Sequence, residues 1–181
     1  MLGADIISIS AAFFNKIDGL DLEISRAMRA GTVVIASTAG EGYNQANAFP
    51  ADYDLVLKIA ATTDMGKEAQ ESVKRNADFL FPGQNLVAET TFLGSDHWPH
   101  EVSGASVATA IAAGVASVVL ACHRLALSTR TAKDRWERHN HFKREIVIKA
   151  FKEMWDEDAS WGEAGSILAW IRDKYEELDR S

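Results

Sequence analysis

Val102-Ser-Gly-Ala-Ser106-Val-Ala-Thr109-Ala-Ile-Ala-Ala-Gly114-Val-Ala-Ser-Val-Val-Leu-Ala121 is the stretch on which the reading turns. Gly104 precedes Ser106, and nearly everything after it is small and apolar. Such a pattern is a turn of small residues that hands a serine to the N-terminus of a helix. Free N–H groups and the positive end of the helix dipole gather there, a setting that suits a developing oxyanion. The same pattern also describes a serine N-cap on an alanine-rich core helix. Both readings stand on spacing alone. The uncharged run from Val102 to His123 is weakly hydrophobic, with hydroxyl groups at Ser103, Ser106 and Thr109. It makes a poor membrane span and is expected to be a buried central helix.

Upstream lie four apolar, β-branched runs: Ala4 to Ser10, Thr32 to Thr38, Leu55 to Thr63, and Ala77 to Phe81, the last ended by Pro82-Gly83. Between the first two, Leu20, Ile24, Ala27 and Met28 share a helical face, and Gly31 stands at the expected C′ position. Strand, helix and strand in quick succession form a βαβ unit. Continuous rather than alternating apolar strands imply an α/β fold, a parallel sheet with helices on both faces.

The whole chain has 181 residues, 47% of them apolar and 25% charged, with a formal net charge of −7. That apolar content excludes a disordered acidic tail, and a single cysteine, Cys122, excludes an internal disulfide framework. The lone cysteine and the absence of a signal-peptide pattern at Met1 to Ser8 suggest a reducing, cytoplasmic setting. From Arg124 to Lys152 there are nine basic and three acidic residues, and from Glu153 to Ser181 three basic and nine acidic. The two halves nearly cancel and no basic–aromatic pattern recurs, so neither nucleic acid nor membrane is expected as a partner. Helices are expected near 141 to 155 and again after a capping box at Ser160 to Glu163.

Other candidates for chemistry are weaker. Asp96, His97 and His100 lack a fourth ligand, so no metal is expected; no cofactor is expected either. His97 or His100 acting as a base for Ser106 rests on reach alone. His139 and His141 form no ligand pair on a helix or a strand. Cys122 reads as a small core residue, and Gly40-Glu-Gly42 opens no helix that would make it a dinucleotide loop.

Ser103-Gly104-Ala105-Ser106-Val107-Ala108-Thr109 resembles the nucleophile motif of subtilisin-like serine peptidases, usually Ser-Gly-Thr-Ser-Met-Ala-Thr. Ala113-Gly114 also matches the helix of that motif. Upstream segments resemble the family in the same order. Ala4 to Ser10 is similar to the strand that flanks the substrate. Gly31 to Ser37 is similar to the strand leading to the oxyanion-hole loop. Phe49-Pro50-Ala51 and Val56 to Asp64 resemble the Tyr-Pro-Ala and Val-Ala-Val-Gly-Ala-Val-Asp segments, and Pro82-Gly83 the Ala-Pro-Gly segment. The resemblance covers about residues 4 to 121.

This resemblance implies a serine endopeptidase that hydrolyses peptide bonds through Ser106. An extended polypeptide would lie between Ser10-Ala11-Ala12 and Ser37-Thr38-Ala39. The family's oxyanion asparagine falls on Gly40, which has no side-chain donor; Asn44 is a possible substitute. In subtilisin, where the figure was measured, losing that donor costs on the order of 10²–10³ in rate. Ala12 stands where glycine is common and would narrow the cleft. Ala110 replaces a proline and regularises the helix. The family's Asp and His motifs should precede the first strand, and neither occurs. The expectation is therefore the C-terminal half of a subtilisin-like fold, with 1–123 a partial peptidase domain and 124–181 a helical extension. A missing N-terminal segment would supply the Asp and the His. The alternative is an inactive peptide-binding or regulatory module. A remnant without a stable fold is a weaker third reading.

Overall fold

The computed structural model describes residues 3–38, 48–63, 77–88, 100–126 and 142–154. Four parallel strands form the sheet in chain order: β1 (Ile6–Ile9), β2 (Val33–Ser37), β3 (Leu57–Thr63) and β4 (Phe79–Gln84). Helix α1 (Leu20–Arg29) connects β1 to β2. It ends at Ala30, and Gly31 takes a φ of 84°, the left-handed position that glycine occupies without steric cost. Two short antiparallel strands, β5 (Leu86–Ala88) and β6 (His100–Val102), precede helix α2 (Ala105–Ala126). Helix α3 (Lys143–Met154) follows. Residues 160–178, read from sequence as a further helix, lie outside the described residues.

Alternation along each strand splits the sheet into two faces. Val33, Ile35, Leu57, Ile59, Ala61, Phe79 and Phe81 meet Ala108, Ala112, Ala116 and Leu120 of α2 and Val147 and Phe151 of α3. Val34 and Ala36 point the other way, toward Ile24 of α1 and toward Phe49, Ala51, Tyr53 and Val56. Helices therefore cover both faces, as the unbroken apolar strands implied. This core runs past residue 123, because Val147 and Phe151 fill it beside the sheet residues.

Two features depart from the sequence reading. Strand β4 does not stop at Pro82-Gly83 but runs on to Gln84. Among the described residues β4 pairs only with β3, and a proline at such an edge need not donate to a ladder. The register steps from Thr62↔Pro82 to Thr63↔Gln84, leaving Gly83 as the bulged residue. Helix α2 is not enclosed all round. Ala108, Ala112, Ala116, Val119 and Leu120 are buried, whereas Ala110, Gly114, Ser117, Val118, Ala121 and Leu125 are exposed. The exposed set is a second stripe at helical spacing, apolar apart from Ser117 but uncovered among the described residues.

Charge ties the ends of these elements together. Asp5, at the start of β1, pairs with Arg124 at the end of α2 and with Lys143 at the start of α3, the latter at 2.6 Å. Lys143 is 5% exposed. Within the described residues, the basic stretch after residue 123 thus finds its acid at the opposite end of the chain. Lys149 and Glu153 form a looser pair across one turn of α3, at 3.7 Å.

Candidate active site

The carboxyl ends of β1, β2 and β4 and the N-terminus of α2 converge on one region, where open α/β sheets place their ligands. The approach to α2 is made by two glycines. The Gly104 amide donates to the Gly83 carbonyl at 2.6 Å, and Gly104 has a φ of 138°. Just upstream, the Asn85 amide donates to Ser103 Oγ at 2.9 Å. The Gly104 carbonyl then accepts from Val107 N (3.0 Å) and Ala108 N (3.3 Å), so Gly104 caps α2 with its backbone alone.

That arrangement removes the cap reading of Ser106. The residue sits inside the first turn of α2 rather than at its cap. Its hydroxyl donates to the Ser10 carbonyl at 3.3 Å, and Ser10 Oγ donates back to the Ser106 carbonyl at 3.2 Å. The side chain is exposed. The Ser106 N–H, as one of the first in the helix, has no intrahelical acceptor and remains available as a donor. An exposed hydroxyl beside a backbone N–H at a helix N-terminus suits attack on a carbonyl carbon only where a base takes its proton.

The family model described as the subtilase family matches residues 2–162. The chain belongs to the subtilase family. It is 34% identical over 104 residues to subtilisin-like protease 5 of Arthroderma gypseum, covering 57% of this chain and 25% of that protein. It is 30% identical over 115 residues to a thermostable alkaline protease of Halalkalibacterium halodurans, covering 63% of this chain and 30% of that one. The chain thus spans about a quarter to a third of these curated relatives. The fold agrees with that of the prenylagaramide maturation protease PagA, at a TM-score of 0.58 and 23% identity, covering 82% of this chain and 50% of that structure.

The remaining residues singled out in the subtilase motifs fall as follows. Ser10 and Ala11 are exposed and Ala12 is half-buried, directly after β1. Ser37 and Thr38 are buried at the end of β2, and the Thr38 amide donates to the Ile59 carbonyl at 2.9 Å. The β1–β2 register closes at Ile9↔Ala36, and continuing it sets Ser10 beside Ser37. Ala39, Gly40 and Asn44 lie outside the described residues, as do Asp96 and His97. His100 is the first residue of β6, with its backbone paired to Ala88. No imidazole or carboxylate hydrogen-bonds to Ser106 Oγ among the described residues. The reciprocal bond between Ser10 and Ser106 was missed by the sequence reading, which gave Ser10 only a place along the substrate.

Proposed function

We propose that this chain carries the nucleophile of a subtilisin-like serine endopeptidase. Ser106 Oγ attacks the scissile carbonyl carbon and passes its proton to a histidine base supplied, with its aspartate, by a segment outside this sequence. The amine leaves with a proton, and water then hydrolyses the acyl-enzyme. The substrate is an extended polypeptide lying across Ser10 to Ala12 on one side and Ser37 to Ala39 on the other. The observation that carries this reading is that the Ser106 hydroxyl, in a subtilase nucleophile motif, is exposed and not used as a helix cap. The stripe of α2 left uncovered among the described residues, with Ala110, Gly114 and Val118 running from the serine, supports the idea that a further segment packs there. So does β1, which pairs on one side only among the described residues.

The test is a fluorophosphonate reaction on the full-length natural protein. An adduct mapped to Ser106, and lost in Ser106→Ala, is the expected outcome. An adduct that survives in Ser106→Ala means another nucleophile. No adduct at all in the full-length protein favours the second reading, a cleft that holds a peptide without cutting it. That reading draws its support from the hydroxyl's present partner, a carbonyl rather than a base.

A further inference from the structure

We infer that Ser10 is a positioning residue for Ser106, an inference that rests on reading Ser106 as the nucleophile. The two serines stand 96 positions apart in the chain and exchange two hydrogen bonds of opposite direction. One bond alone would leave the nucleophile free to swing about it. Two bonds between the same pair of residues fix both the side-chain torsion of Ser106 and the distance of its turn from β1.

The donor and acceptor count permits this without cost to the helix. In helix register the Ser106 carbonyl accepts from the Ala110 amide and keeps a second lone pair, and Ser10 Oγ takes that one. The two bonds also differ in fate. Attack must break the bond from Ser106 Oγ, because its proton leaves for the base. The bond from Ser10 Oγ is untouched by that step, so the turn stays in place while the hydroxyl reacts. Both partners stand on fixed elements. Strand β1 is held by the bond from Val33 N to Asp5 O (2.9 Å) and by Thr32 Oγ1 to Ala4 O (2.8 Å), and α2 by Gly104 on Gly83. A site built on such supports is sensitive to the loss of one peg.

The test compares Ser10→Ala and Ser10→Thr with the parent in the full-length natural protein. Misplacement of a nucleophile costs up to about a hundredfold in rate, and losing one of two pegs is expected to cost about tenfold. Ser10→Ala should therefore lower the limiting rate of fluorophosphonate labelling about tenfold, with the half-saturating probe concentration within about twofold. Ser10→Thr keeps the hydroxyl and should restore most of the rate. The pH midpoint of labelling should not move, because Ser10 is neither acid nor base. Parent-like labelling in Ser10→Ala, or a loss confined to probe affinity, overturns the inference.

Amide exchange at Ala110 supplies a readout independent of activity. Ser10→Ala should speed exchange there while β2 and β3 amides keep their protection, and Ser10→Thr should not. Unchanged exchange at Ala110 overturns the positioning role. If the parent protein fails to label at all, the nucleophile reading of Ser106 falls, and the exchange result still decides whether Ser10 holds the turn.

Discussion

Gly83 and Gly104 meet backbone to backbone, at 2.6 Å from amide to carbonyl, and no side chain fits between them. A Cβ placed on Gly83 would stand 2.8 Å from Ala108 Cβ and 2.9 Å from both Ala61 Cβ and the Gly104 carbonyl oxygen. These neighbours are the first turn of α2, a central strand and the cap of α2, so a shift of the helix to make room carries Ser106 with it. Gly83→Ala is expected to cost about 2–3 kcal/mol by overpacking. Urea unfolding reads that loss, and labelling of Ser106 in the full-length protein should fall with it. Unchanged stability would mean that α2 tolerates a shift at its N-terminus.

Asp5 gathers β1, α2 and α3 at one point. Burial pushes its carboxyl up, but hydrogen bonds and charge from Lys143 and Arg124 outweigh that and hold it below the ordinary carboxylate range. A carboxyl with a lowered folded value adds stability above its unfolded value, and that stability is lost as pH falls through the folded value. Asp5→Asn leaves the 5%-exposed Lys143 without its partner. The Asp5 side chain is itself 38% exposed, so solvent screens part of the loss. A cost of about 1–2 kcal/mol near neutral pH is expected, shrinking as pH falls below the ordinary carboxylate range and Asp5 takes up its proton. Urea midpoints of parent and variant across acid pH check this. A gap that stays constant with pH would show that charge is not the cause.

Much of this was legible in local pattern, and the rest was not for a definite reason. The first three strands and α1 came out within about two residues, and β4 at all but its end beyond Pro82-Gly83, because parallel strands buried on both faces leave unbroken β-branched runs. Gly31 marked the end of α1 because only a left-handed residue fits there. Ser106 was singled out by the small residues around it, but whether it was the cap depended on Gly104, whose role as cap is carried by backbone and has no side-chain signature. The Ser10–Ser106 exchange and the Asp5 pairs join residues from opposite ends of the chain. No periodicity reports contacts of that separation. The β5–β6 pair escaped because three-residue strands carry no readable alternation.

Helix α3 is expected to be indispensable to the sheet. The Phe151 ring meets Phe79 at 5.1 Å and 80° and Phe81 at 4.9 Å and 63°, both edge-to-face. Phe151→Ala should cost about 3–5 kcal/mol, whereas Phe151→Leu should lose much less. A chain ended at residue 123 lacks Phe151, Val147 and Lys143 together and should not give a cooperative unfolding transition. If it does, residues 124 onward form a separable extension after all.

Gly114 tests what the outer stripe of α2 is for. It lies mid-helix, is exposed, and a Cβ built on it meets nothing within 4 Å. Considered on this chain alone, Gly114→Ala replaces a poor helix former at an open position and should stabilise it by about 0.5–1 kcal/mol. Val118, 43% exposed on the same stripe, should tolerate lysine within about 0.5 kcal/mol. If a further segment packs on this stripe in the full-length protein, as proposed, no room is left for a lysine at 118. Val118→Lys should then destabilise that protein by about 2 kcal/mol or more, through burial of an unpaired charge, and abolish labelling of Ser106. Thermal unfolding of the two lengths side by side separates the cases. Equal, small effects in both would mean that the stripe faces solvent in the whole protein and that no further segment docks on it.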